Sequence, residues 1–173
     1  MEIYFIRHSK PDYSFIDDNM NCQWSNLAPL TFDGVLLAKE LRNNKELQDG
    51  TIISSPYTRA FQTASVFANG KDIIIEPLIH EWLPSKTFSI KAKDVANANK
   101  QYKEYENKIK KGILTKEIKD FETKEEMTTR MNEFIEKYKN YDKLIVFSHS
   151  RFMSNFLNIK QFDYCEIVKY VIN

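Results

Sequence analysis

The stretch Glu2-Ile3-Tyr4-Phe5-Ile6-Arg7-His8 decides the architecture. Residues 2–6 form a short apolar run bounded by polar residues, the pattern of a buried strand, and the charged pair Arg7-His8 stands directly at its carboxyl end. The arrangement recurs down the chain. Residues 143–147 read as a strand ending in Ser148-His149-Ser150, and residues 51–54 as a strand leading to Arg59. Residues 72–75 form a third strand, the loop 76–84 leaves it, and residues 165–172 form a last strand. Helices fall between. Thr31 caps one that carries Val35, Ala38 and Leu41 and ends near Asn43. Pro56 suits the first turn of the next, with Ala60, Thr63, Ala64 and Phe67 on one face. Thr123-Lys124-Glu125-Glu126 is a capping box, followed by Met127, Met131, Phe134, Ile135 and Tyr138 as a core-facing stripe. A further helix spans about 151–157. Strands alternating with helices predict an α/β fold, a three-layer α/β/α sandwich around a mostly parallel sheet.

Composition bounds the function. With 173 residues and 20.5 kDa the chain fits one domain, expected over 1–173, with a Lys-rich helical region at about 86–142 lying as a solvated face over the site. Lys+Arg is 25 against 24 Asp+Glu, so there is no basic field for nucleic acid. Cys22 and Cys165 lie far apart, which excludes a multi-disulfide scaffold and zinc-knuckle spacing. No apolar run approaches a membrane span, and the first residues lack a basic leader, so a soluble, cytoplasmic protein is expected. Residues 9–30 are turn-rich and irregular, and a loop of that length is usually functional.

Rare residues locate the chemistry. The chain holds five arginines against twenty lysines, and three histidines. Arg7, His8, Arg59, Glu81 and His149 all follow predicted strands, and ligands of open α/β sheets bind at the strands' carboxyl ends. A phosphoryl group fits this set, because guanidinium forks match its oxygens. A neutral imidazole can attack phosphorus, and a carboxylic acid can protonate the leaving oxygen. Each residue also has a plainer reading. Arg7-His8 alone is a strand-end pair, Arg59 a helix surface charge, His149 a core histidine, and Glu81 one of many glutamates after strands, with His80 beside it as a rival acid. Arg130 reads as a solvated helix residue and Asp17-Asp18 as a hydrated loop pair. With no ligand-spaced histidine pair, neither a metal nor a cofactor is expected.

Taken together, these segments resemble the histidine phosphatase superfamily, with its phosphoglycerate-mutase-like fold. Arg7-His8-Ser9 matches its first motif, Leu30-Thr31-Phe32-Asp33-Gly34 the helix entry, and Ser54-Ser55-Pro56-Tyr57-Thr58-Arg59-Ala60-Phe61-Gln62-Thr63-Ala64 the second motif. Leu78-Ile79-His80-Glu81 matches the acid position and Val146-Phe147-Ser148-His149-Ser150 the last motif. The resemblance implies that His8 becomes a phosphohistidine, that Arg7, Arg59 and His149 hold the phosphoryl oxygens, and that Glu81 is the proton donor, without a metal. The implied activity is hydrolysis of a phosphorylated small molecule.

Several departures stand out. Ser9 and Ser150 replace glycines of the family, so a Cβ crowds the phosphate or strains the backbone if φ is positive there. Ser14 stands where an asparagine often donates to phosphate. Arg151 replaces a second glycine and is expected to add a rim cation for an acidic or multiply phosphorylated substrate. Ser9, Ser14, Ser150 and Arg151 are therefore expected as further phosphate or substrate contacts. Glu81 is followed by Trp82-Leu83-Pro84-Ser85 rather than the Arg-Tyr-Gly segment of true mutases, so mutase activity is disfavoured. A phosphohistidine protein phosphatase and a weak or inactive phosphate-binding module remain as alternatives. No motif sets the substrate or the oligomeric state.

Overall fold

Strands Glu2–Arg7 (β1), Thr51–Ser54 (β2), Ile74–Ile75 (β3), Lys143–Ser148 (β4) and Ile167–Val171 (β5) make one sheet in the order β3-β2-β4-β1-β5. The computed structural model describes residues 1–113, 118–157 and 159–172; residues 114–117 of the Lys-rich region lie outside the described residues. β1, β2, β3 and β4 run parallel, and β5 pairs antiparallel with β1. Period-two alternation divides the strands between two cores. Ile3, Phe5, Leu144 and Val146 face one side, packed with residues of helices Val95–Lys110 (α3), Lys124–Tyr138 (α4) and Ser150–Leu157 (α5). Tyr4, Ile6, Ile145 and Phe147 face the other, packed with helices Phe32–Glu40 (α1) and Thr58–Ala68 (α2). Both faces of the mostly parallel sheet are thus covered, as its apolar strands require.

Local chemistry fixes the helix starts. The Thr31 hydroxyl accepts from the Gly34 N–H at 3.0 Å, and Thr123 and Glu126 form the reciprocal capping box that opens α4. Gly34 must lack a side chain, since a Cβ there would meet the Lys10 carbonyl oxygen at 2.4 Å. That close approach seats the start of α1 against the loop leaving β1. The stripe Met127, Met131, Phe134 and Tyr138 is buried against the sheet.

Three boundaries differ from expectation. Pro56 lies outside α2, which begins at Thr58. Ser55 N–H donates to the Phe147 carbonyl at 3.0 Å, carrying the sheet one residue past β2 and delaying the helix. β3 is two residues long because only Ile53 and Ser54 of β2 pair with it. β5 starts at Ile167 because Cys165 takes φ 58° and breaks the extended run.

Candidate active site

β1 delivers Arg7 and His8 to the carboxyl edge of the sheet, β4 delivers His149, and the turn after β2 opens α2 with Arg59. Backbone bonds lock the edge together: His8 N–H donates to the Ser148 carbonyl at 2.9 Å, and Ser148 Oγ donates to the Ile79 carbonyl at 2.8 Å. The His8 and His149 ring centroids lie 5.2 Å apart. Residues far apart along the chain therefore meet at one spot.

The protonation state of His8 follows from its contacts. Nδ1 lies 2.7 Å from the Ser9 carbonyl oxygen, which can only accept, so Nδ1 carries the proton. Nε2 accepts from the Arg59 Nε–H at 3.2 Å and therefore keeps a lone pair. Burial, aided by the Arg59 and Arg7 charges and opposed by the Ser9 carbonyl, pushes the imidazole down to about 3. His149 is fully buried, and burial, aided by the Arg59 charge, holds it well below the usual histidine range. Its Nε2 shares a 2.8 Å hydrogen bond with Ser55 Oγ.

Two buried polar atoms here have no partner among the described residues: Arg7 Nε and His149 Nδ1. An unsatisfied buried polar group is costly, and such groups gather where a ligand completes them. The Arg7 guanidinium is held by Nη1, which donates to the Phe162 carbonyl, and its Cζ lies 4.2 Å from the centre of the Tyr164 ring. Arg59 Nη1 donates to the Ser25 carbonyl at 3.1 Å, which ties the 9–30 loop into the site.

A cavity of about 810 Å³ opens beside this cluster, walled in part by Tyr57, Arg59, Glu81, Ser150 and Arg151. That volume lies within the usual range for metabolite sites. The two imidazoles are not on its wall; Arg59 contacts His8 and Tyr57 packs 5.3 Å from His149. Glu81 Oε1 accepts the N–H groups of Trp82 at 2.9 Å and Phe152 at 3.2 Å, which aims the carboxylate from the first turn of α5. His80, the rival acid, does not line the cavity, and its Nδ1 is bound to the Glu81 carbonyl oxygen at 2.6 Å.

The serines divide. Ser9 adopts no positive φ, nor does Ser150, so the glycine replacements impose no left-handed strain. The Ser9 hydroxyl donates to the Gly34 carbonyl at 2.7 Å, and its N–H donates to Thr63 Oγ1 at 2.9 Å. Thr63 Oγ1 donates in turn to the Arg59 carbonyl at 2.6 Å, linking the His8 loop to α2. Ser150 lines the cavity, whereas Ser14 is exposed, is not on the cavity wall and donates its N–H to Asp12 Oδ1 at 2.8 Å.

Arg130 is not the solvated residue its sequence position suggests. It forms a two-pronged ion pair with Glu122 at 2.6 and 2.9 Å, only 14% and 5% exposed. Its Nη1 also donates to the Leu78 and His80 carbonyls, while Glu122 accepts from the Leu83 N–H at 3.2 Å and from Trp82 Nε1 through its backbone oxygen at 2.7 Å. The pair clamps both sides of the loop that holds Glu81. Nothing local marks it: Glu122 lies just ahead of a capping box and Arg130 on the polar side of a regular helical stripe.

The family model for the histidine phosphatase superfamily (branch 1) matches residues 3–161. The chain belongs to that superfamily. A comparison with curated protein sequences finds no match. Among solved structures, this superfamily member is similar to the α-ribazole phosphatase of Shigella flexneri (TM-score 0.68, 17% identity, 100% of this chain and 91% of that one). It is similar also to a mycobacterial glucosyl-3-phosphoglycerate phosphatase (TM-score 0.70, 13% identity, 97% and 88%). A third likeness is to the phosphoserine phosphatase of Entamoeba histolytica crystallised with phosphoserine (TM-score 0.66, 16% identity, 99% and 91%). At these identities the likeness is one of fold, and it extends over nearly the whole of each chain.

Proposed function

We propose that this chain hydrolyses phosphomonoesters through a phosphohistidine on His8. The observation that carries the reading is the His8 tautomer: Nδ1–H is anchored to the Ser9 carbonyl and Nε2 holds a lone pair beside Arg59. In the first step Nε2 attacks phosphorus, the bond from phosphorus to the ester oxygen breaks, and Glu81 gives its proton to the leaving oxygen. In the second, Glu81 as carboxylate takes a proton from water, the water oxygen bonds phosphorus, and the phosphorus–nitrogen bond breaks to restore neutral His8. Arg59 shifts its Nε–H from Nε2 to a phosphoryl oxygen as the ester enters, and Arg7 Nε and His149 Nδ1 supply further contacts to the oxygens. Phosphatases among the similar structures support the reaction class.

The test is turnover of p-nitrophenyl phosphate. The wild-type chain releases nitrophenol and continues in EDTA, whereas His8→Ala loses about 10³-fold or more. Undiminished turnover by His8→Ala overturns the assignment. Binding of orthophosphate without turnover of any ester identifies a binding module instead.

A further inference from the structure

We propose that α5 carries a second oxyanion subsite, so that the substrate is a phosphomonoester bearing a further carboxylate or phosphate. The inference rests on the phosphatase reading above and adds to it the class of molecule hydrolysed. Arg151 lies two residues beyond His149, with its guanidinium 4.1 Å over the Trp82 ring and 5.6 Å from the Tyr102 ring centre. Nη2 donates to Asn99 Oδ1 at 2.9 Å, which holds the fork against α3. Nη1 is buried with no partner among the described residues. Ser154 Oγ, one turn further along α5, is in the same condition. Both residues line the cavity that Arg59 and Glu81 share.

Two unsatisfied donors on one helix face call for an acceptor, and the surrounding charge specifies its sign. Among the described residues, the charged ones lining that cavity are Arg59, Lys103, Arg151 and Lys160 against the single carboxylate Glu81. Arg59 belongs to the reacting phosphoryl group, which leaves three cations for something else. A neutral alcohol as leaving group would not compensate them. An oxyanion on the leaving group would accept from Arg151 Nη1 and Ser154 Oγ, with Lys103 and Lys160 balancing its charge. The Trp82 stack and the Asn99 bond fix the guanidinium in advance, so little side-chain freedom is lost on binding. A stack on Trp82 and a bond to Asn99 also fit a purely structural tie between α5 and α3, and the experiment separates the two.

The experiment compares kcat/KM for phosphoserine with that for phosphoethanolamine, which lacks only the carboxylate, and for fructose 1,6-bisphosphate with that for fructose 6-phosphate. Turnover of p-nitrophenyl phosphate is followed in parallel. In the wild type the doubly anionic member of one pair is favoured by about tenfold or more, and that pair identifies the anion as carboxylate or phosphate. Arg151→Gln brings the ratio toward one, Arg151→Lys retains part of it, and Ser154→Ala lowers it without touching the Trp82 stack. Ratios near one in the wild type, with p-nitrophenyl phosphate still hydrolysed, overturn the subsite and leave the phosphatase reading standing. Equal losses on both members of a pair in Arg151→Gln and in Ser154→Ala assign these residues a structural role and overturn it as well. No turnover of any ester overturns both readings.

Discussion

Arg59 donates its Nε–H across 3.2 Å to Nε2 of His8, the atom proposed to attack phosphorus. The contact does two things in the resting protein. It satisfies a buried lone pair that would otherwise lack a donor, and its charge helps keep the imidazole neutral. Substitution of Arg59 by Ala should therefore lower kcat/KM by about 10²–10³-fold through loss of a phosphoryl donor. It should also raise the His8 titration from about 3 toward the ordinary histidine value. Proton NMR of the imidazoles follows the second effect; a His8 titration unmoved by Arg59→Ala contradicts the coupling.

Glu81 is aimed by two backbone N–H groups from Trp82 and Phe152. The proposed role as acid predicts dependence on the leaving group. Glu81→Gln should lower kcat/KM, which reports the first half-reaction, far more for alkyl phosphates than for p-nitrophenyl phosphate, whose leaving group departs without a proton. Equal losses of kcat/KM on both esters would remove Glu81 from that step.

The buried imidazoles also make stability depend on pH. His8 has a folded value of about 3 against 6.5 for the exposed group, so between these values the unfolded chain binds more protons than the folded one. Stability is then fully present above about pH 6.5 and is lost as pH falls toward 3, and His149 acts in the same direction. Urea unfolding at pH 7, 5 and 4 should give falling midpoints, with a shallower fall in His8→Gln. A flat profile across that window contradicts the neutral, buried assignment.

The Arg130–Glu122 pair clamps the Glu81 loop from beneath. Breaking it leaves a charge stranded in a mostly buried setting, at a cost of about 3–5 kcal/mol. Arg130→Met should therefore lower the unfolding midpoint strongly, while the double variant Arg130→Met with Glu122→Leu recovers part of it. Activity should fall with the single change, through kcat more than KM, because Glu81 is what the clamp positions.

Ser9 in place of glycine is a tie rather than a defect. Its hydroxyl bonds the Gly34 carbonyl and its backbone is relaxed. Ser9→Gly should destabilise by about 1–2 kcal/mol, from one lost hydrogen bond and added chain freedom, without raising kcat. A faster, equally stable Ser9→Gly would show that the serine hinders the site.

Much of this was legible in the chain. Residues 2–6 and 143–147 read as strands because both cores bury their alternate faces, and His8 and His149 follow them directly, so the sheet edge could be placed from sequence. Arg59 was legible only through the motif around it. What stayed hidden depends on contacts between distant segments. Arg130 meets Glu122 and the Leu78–His80 backbone only after α4 packs on the sheet, and Ser154 carries no local signal at all. Ser14 was named from its position along a motif, and the sequence does not show that its N–H is taken by the Asp12 carboxylate and its side chain exposed.

The central claim is that His8 Nε2 carries the phosphoryl group between two half-reactions. Rapid alkaline quench of the protein during turnover, followed by peptide mass spectrometry, tests it most directly. The expected result is a base-stable, acid-labile phosphate on His8 that accumulates further in Glu81→Gln with p-nitrophenyl phosphate and is absent from His8→Ala. Steady turnover with the phosphate found on another residue, or on none at any quench time in either protein, would contradict it.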